Sequence, residues 1–300
     1  MLRAVRLKRA GRRRCSNAAM APTLAPCPIF LSHGSPWTAL EPREAGAFMQ
    51  RLGPAIDAVF GRPRAVLAVS AHTLERMPLL LAAARHAAVH DFGGFDERLH
   101  RLRYDAPGDP ALATQVEALL RGAGIAARRA EQGGLDHGIW TPLRYLWPAA
   151  DVPVLPLAFV PTWSPRRLFD FGAALAPLAA QGVLVMASGS ITHNLQRVFA
   201  GGLHDAGRAP TPESSAFREW FRDRGEAGDW DALLDYRRQA PHAALMHPSD
   251  EHLLPFYVAA GAAGRSPALR LHASVTHGDL GMDAYAFGGR GSELRQALGA

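Results

Sequence analysis

The sequence predicts a single α/β domain with a largely parallel or mixed central sheet covered by helices on both faces. Two observations carry this expectation. Apolar runs of strand length alternate with segments of helical periodicity, and the runs are near-continuous, as strands buried on both faces must be. A third observation locates the chemistry: three runs, Pro28–His33, Val66–His72 and Val183–His193, pass through small residues to a histidine. Open α/β sheets bind ligands outside the carboxyl ends of their strands, so these histidines can converge. Converging imidazoles point to a metal site.

The elements follow in order. Pro42–Phe60 reads as helical because Ala45, Phe48, Met49, Leu52, Ile56 and Val59 recur at three- and four-residue intervals, with Gly53-Pro54 expected to kink or divide it. Arg64–Ala71 and Leu79–Ala83 have strand length. Pro110–Arg121 is a helix by pattern, with Asp109 as its N-cap and proline at the first helical position. Pro153–Val160 and Gly182–Ser188 are buried strands separated by a Pro165–Gln181 helix. Ser249 or Asp250 is placed to cap a helix running through Ala263, and Leu269–Val275 reads as a strand. Segments 86–108 and 200–212 are long connections, which in compact domains are usually functional or disordered.

With 300 residues, 48% of them hydrophobic, the chain can bury a substantial core, and no linker divides it. The net charge of +6 suggests nucleic acid until its distribution is read. Residues 1–19 hold seven basic groups and no acid; subtracting them from +6 leaves −1 for residues 20–300. Residues 20–300 are therefore taken as the domain, with no nucleic-acid partner. The basic tail of residues 1–19 reads as an upstream start ahead of Met20, a disordered arm or an organelle-type presequence, and it lacks the apolar core of a secretory signal. Lys8 is the only lysine, a usage that suggests a GC-rich genome. Cys15 and Cys27 form neither a disulfide framework nor a Cys-x-x-Cys zinc site, which fits a reducing cytoplasm. No stretch approaches the roughly 20 apolar residues of a membrane span. Nothing specifies an oligomeric state.

Of 13 histidines, His86, His204, His242 and His272 lack a supporting context. His33 and His72 follow strands through small residues, where a side chain enters the crevice. His193 lies in the small-residue turn Ala187-Ser188-Gly189-Ser190-Ile191-Thr192-His193-Asn194, and His137 stands among glycines at a helix start. Glu251-His252 open the last long helix, so one of the two can face inward. The chain has no Gly-x-x-x-x-Gly-Lys loop, no Gly-x-Ser-x-Gly elbow and no His-Glu-x-x-His. A zinc-dependent hydrolase and a non-catalytic metal-binding protein stay open on ligand type alone.

His33-Gly34-Ser35-Pro36, Ser70-Ala71-His72, His90-Asp91-Phe92-Gly93-Gly94-Phe95, Ala106-Pro107-Gly108, Asp136-His137-Gly138-Ile139-Trp140, Ala187-Ser188-Gly189, His193-Asn194-Leu195 and Glu251-His252-Leu253-Leu254-Pro255 together resemble the class III extradiol ring-cleavage dioxygenases, of the 4,5-DOPA dioxygenase type. The motifs run in the family's order from about Pro28 to Phe287. The resemblance implies a fold like the catalytic subunit of protocatechuate 4,5-dioxygenase, mononuclear non-haem Fe(II), and a catechol and O2 as substrates, giving a muconic semialdehyde-type product. It implies His33, His72 and His252 as metal ligands, and His193 as an active-site histidine sometimes also counted as a ligand. It further implies His137 as a second pocket histidine, and His90 and Tyr104 as pocket wall. Zn(II), which takes the same ligands, is expected to compete for the site in purified protein. Asp96, His100 and Asp105 depart from the family pattern, all within the 86–108 connection. The two-histidine, one-carboxylate rule for iron would favour Glu251 as third ligand, whereas motif alignment favours His252, with Glu251 as its orienting partner.

Overall fold

The computed structural model describes residues 24–202 and 205–299; the basic tail and His204 lie outside them. Its strands are β1 (Ile29–Ser32), β2 (Ala65–Ser70), β3 (Leu79–Leu81), β4 (Arg85–His86), β5 (Ala106–Pro107), β6 (Arg128–Ala130), β7 (Val154–Ala158), β8 (Val183–Gly189), β9 (Ala268–His272), β10 (Val275–Thr276), β11 (Leu280–Gly281) and β12 (Ala284–Phe287). Eight of them form one sheet in the order β6-β3-β7-β2-β8-β1-β12-β9. Its centre, β7-β2-β8-β1, is parallel, while β12 and β9 continue it antiparallel beyond β1, and β3 pairs antiparallel with β7. The mixed, mainly parallel sheet matches the expectation.

Side chains alternate across a strand, so the continuous apolar runs feed two cores. Phe30, Leu67, Val69, Val185 and Ala187 pack on one face against the helices Pro110–Gly122, Pro165–Ala173, Pro212–Ala227 and Leu254–Ala262. Ile29, Leu31, Val66, Ala68, Leu184 and Met186 pack on the other against Arg43–Phe60, His137–Leu146 and Gly291–Leu298.

Several boundaries differ from the sequence reading. Helix Arg43–Phe60 is continuous through Pro54, because the carbonyl the proline releases belongs to exposed Gln50, where water can take it. The single helix expected over Pro165–Gln181 is an α-helix ending at Ala173 and a 3₁₀ helix Ala176–Gln181, with Pro177 removing the N–H that would continue it. Asp109 does cap its helix, accepting from the Leu112 N–H at 2.8 Å. Asp250 does not; it accepts from the Tyr236 hydroxyl at 2.6 Å, and the helix starts at Leu254 with Pro255 in its first turn. Asp96, in the 86–108 connection, caps the short helix Glu97–His100 through the Arg98 N–H at 2.8 Å. The helices between 212 and 248 and strand β12 are not among the expected elements. Amphipathic signal is weak in Pro212–Ala227, where a single seam of Phe217 and Phe221 faces the core.

One buried ion pair locks β12 beside β1. Asp283 is fully buried and accepts two hydrogen bonds from Arg218, at 2.6 and 3.1 Å, while its carbonyl receives the Ser32 N–H at 3.1 Å. Removing one member of such a pair strands a charge in the interior at a cost of about 3–5 kcal/mol. Asp283→Ala is expected to lose that much stability in equilibrium denaturation.

Candidate metal centre

Adjacent parallel strands β2, β8 and β1 set the site. Their register places Ser188 level with both Leu31 and Ser70, so the three strand ends lie side by side. His33 follows β1 directly and His72 lies two residues beyond β2. The turn after β8 runs to His193, whose N–H donates to the Met246 carbonyl at 2.9 Å. The Ser190 N–H donates to the His252 carbonyl at 2.8 Å, tying the turn before the last long helix to the same end. Glu251 and His252 thus lie in that turn, and the 100° separation of consecutive helical residues does not govern them.

Local chemistry fixes each ring. Asp136 caps the helix that begins at His137 and also accepts from Ser70 Oγ at 2.7 Å and from Thr73, tying that helix to the end of β2. Burial pushes the Asp136 pKa up, against those two donors. The Ser188 hydroxyl donates to the Gly138 carbonyl, so the contact at 2.9 Å between Ser188 Oγ and His33 Nδ1 has the imidazole as donor. A Cβ at Gly138 would stand 3.0 Å from His33 Nδ1, and one at Gly189 would collide with the His252 carbonyl; the two glycines permit the approach. His252 Nδ1 donates to Glu251 Oε1 at 3.0 Å, and His137 Nδ1 to Asp91 Oδ2 at 3.0 Å. His72 Nδ1 faces the same Asp91 oxygen at 3.7 Å. Burial would raise the Asp91 pKa, but the hydrogen bonds from the His137 ring and backbone N–H outweigh it and hold the carboxyl low.

With the Nδ1 atoms of His33 and His252 hydrogen-bonded to oxygens and that of His72 facing the Asp91 carboxylate, the three rings turn their Nε2 atoms toward one another. The Nε2 separations are 3.1 Å from His33 to His72 and 3.3 Å from His72 to His252. Two nitrogens each about 2.1 Å from one ion and roughly at right angles lie about 3 Å apart. Lone pairs this close repel unless a cation stands between them, so the donor set suits a divalent metal. His137 clusters with His33 and His72, their donor atoms within 4.8 Å, and His193, Glu251 and His252 form a second such group. The His193 ring stacks on His252 at a centroid distance of 3.4 Å and 10° between planes.

A cavity of about 230 Å³ opens on these rings, bounded by His72, His137, His193, Trp37, Phe92 and Phe95 among others. A wider concavity of about 710 Å³ beside β3 and β6 holds none of the predicted site residues. His33, His72, His137, His193 and His252 are thus brought together. His90 and Tyr104, expected in the pocket wall, stand behind it: His90 Nε2 donates to the Leu102 carbonyl at 3.2 Å, and the buried Tyr104 hydroxyl donates to the Trp147 carbonyl at 3.1 Å. Their neighbours Phe92 and Phe95 face the cavity instead. The sequence reading also assigned no role to Asp91, Asp136 or Ser188, although all three lie inside its quoted motifs.

Residues 28–288 match the family described as the catalytic LigB subunit of aromatic ring-opening dioxygenase. The chain belongs to that family. It is a class III extradiol, ring-cleaving dioxygenase. It is 34% identical over 263 residues to the 4,5-DOPA dioxygenase extradiol of Beta vulgaris, covering 86% of this chain and 95% of that protein. It is 32% identical over 259 residues to the protein of the same name from Escherichia coli (strain K12), covering 85% and 92%. A crystal structure of an uncharacterized protein from Escherichia coli K12 superposes with a TM-score of 0.67 at 26% identity, covering 87% of this chain and 98% of that one. The family uses non-haem Fe(II), and the histidine cluster of this dioxygenase can hold such an ion. Among the described residues, no helix is long and apolar enough to cross a membrane.

Burial makes these rings hard to protonate in the metal-free protein. It is the main cause holding His72 down at about 3 and His193 at about 4, and outside the cluster His247 at about 3 and His272 at about 4, against an ordinary value of 6.5. Below pH 6.5 the unfolded chain takes up protons that the folded chain refuses. Stability of the metal-free enzyme is therefore fully present above that pH and expected to fall as pH drops toward about 4. Urea midpoints measured across that range check it; a flat profile would mean the rings are hydrated.

Proposed function

We propose that the enzyme opens the ring of DOPA or a related para-substituted catechol at a mononuclear ferrous centre held by His33, His72 and His252. The observation that carries this reading is the convergence of three imidazole Nε2 atoms, two of them on rings hydrogen-bonded at Nδ1, beside an aromatic-walled cavity. Bound there, Fe(II) would supply coordination of the catechol oxygens and of O2 and the redox chemistry that joins them.

The remaining roles belong to the chain. Phe92, Phe95 and Trp37 clasp an aromatic ring and exclude water, which strengthens every polar interaction inside. His193, kept neutral by burial, accepts a catechol hydroxyl proton at a ring nitrogen and later returns it. His137, with its Nδ1–H committed to Asp91, turns Nε2 toward substrate and receives a hydrogen bond from the other hydroxyl. Three neutral ligands leave the full charge of the metal uncompensated, which favours a catecholate over a neutral catechol. Glu251 orients His252 and takes no place on the metal.

Protein loaded anaerobically with Fe(II) is expected to consume O2 in step with DOPA and release a yellow ring-opened product, and the zinc-loaded form to be inactive. Ester or amide hydrolysis by the zinc form, without oxygen uptake by the iron form, would reject the reading. His193→Ala is expected to keep its iron and lose roughly 10²–10⁴ in kcat. His252→Ala should be nearly empty by iron analysis and Glu251→Ala substantially loaded; the reverse order would restore a carboxylate ligand.

A further inference from the structure

The cavity at the histidines adjoins a second concavity across a shared wall. Ser35, Trp37 and His277 line the cavity on one side, and their other side lines the second concavity, of about 420 Å³, whose remaining wall includes Thr38, Glu41 and Arg43. The inner space is aromatic and apolar apart from the imidazoles and Ser35. The outer one carries a cation, an anion and hydroxyls.

Two features of this outer space are unused by the chemistry above. Arg43 and His277 have left-handed backbones, φ 46° and 55°, and are two of only four non-glycine residues that do so among the described residues. Such conformations cost energy and persist only where the surroundings enforce them. The enforcing contacts for His277 include Arg208, which donates to its carbonyl. The ring is 7% exposed, and its Nδ1 is buried without a hydrogen-bond partner. Arg43 holds Glu41 at 3.1 Å, but 44% of its side chain remains exposed, leaving other guanidinium donors free.

A catechol whose two oxygens face the metal ligands directs a para substituent away from them, into the rest of the cavity, whose wall at Ser35, Trp37 and His277 is shared with the outer concavity. We propose that the outer concavity is a specificity subsite in which Arg43, with His277 beside it, reads a carboxylate on that substituent. The guanidinium offers paired N–H donors that match a carboxylate, and Glu41 alongside suits an ammonium on the same substituent. This inference rests on the ring-cleavage reading above.

The test compares kcat/KM of the iron-loaded enzyme for 3-(3,4-dihydroxyphenyl)propionate and for 4-methylcatechol. The two differ in the carboxylate and chain length, not in the reacting oxygens. The wild type is expected to prefer the propionate. Arg43→Gln should lower the ratio of the two values by roughly tenfold or more, mostly through KM, the loss expected for a charge-assisted hydrogen bond to substrate. Arg43→Lys should recover part of the ratio, and His277→Phe should lower it severalfold. A ratio that stays within about twofold of wild type in Arg43→Gln and in His277→Phe overturns the subsite while leaving ring cleavage intact. Failure of the wild type to cleave either compound overturns the ring-cleavage reading itself.

Discussion

The hydrogen bond from His33 Nδ1 to Ser188 Oγ joins the end of one central strand to the next, and the rest of the site is arranged around it. It exists because β1 and β8 are parallel and in a register that sets Leu31 against Ser188. Ser188 in turn donates to Gly138, so the same hydroxyl fixes the first turn of the helix that carries His137. One buried serine thereby decides the tautomer of one imidazole and the position of another. Exchanging it for alanine would leave a buried Nδ1–H with no acceptor, the costly half of a broken hydrogen bond.

The site is built from groups that are expensive to bury, and three of its rings have an oxygen partner on the side away from the centre. Glu251 takes the N–H of His252, Asp91 that of His137, and Ser188 that of His33. This leaves only lone pairs facing inward. This array of inward lone pairs resists protonation at His33 and His252, where burial and the neighbouring rings oppose charge. It is well matched to a divalent cation. The same burial that keeps protons off His33 and His252 leaves their lone pairs free for a metal.

Stability and function occupy neighbouring layers of the sheet. The Arg218–Asp283 pair closes the antiparallel extension of the sheet directly behind β1, and the Asp283 carbonyl holds the Ser32 N–H immediately before His33. A metal ligand at a strand end is only as well placed as its strand. The opposite side of the cavity is lined by Phe92 and Phe95 from the 86–108 connection and by Leu195, Val198 and Phe199 of the short helix Leu195–Ala200.

The alternation of apolar strands and periodic helices was legible in the sequence because it follows from covering both faces of a sheet. The histidines after β1, β2 and β8 were legible because small residues before a polar one mark a strand end facing a crevice. The sequence could not show β12 beside β1, since antiparallel pairing across about 250 residues leaves no local trace. Nor could it separate His90 from Phe92 as wall residues, because the 86–108 connection has no periodicity from which to read direction. Choosing between Glu251 and His252 from helical angles was also out of reach, since the helix begins later than its pattern suggested. The sequence by itself determined which residues lie at the ends of strands and which side chains can bind a metal. Only the tertiary structure decided which nitrogen of His33 and of His137 faces the centre, because that depends on oxygens delivered by partners distant in the chain, Ser188 to His33 and Asp91 to His137.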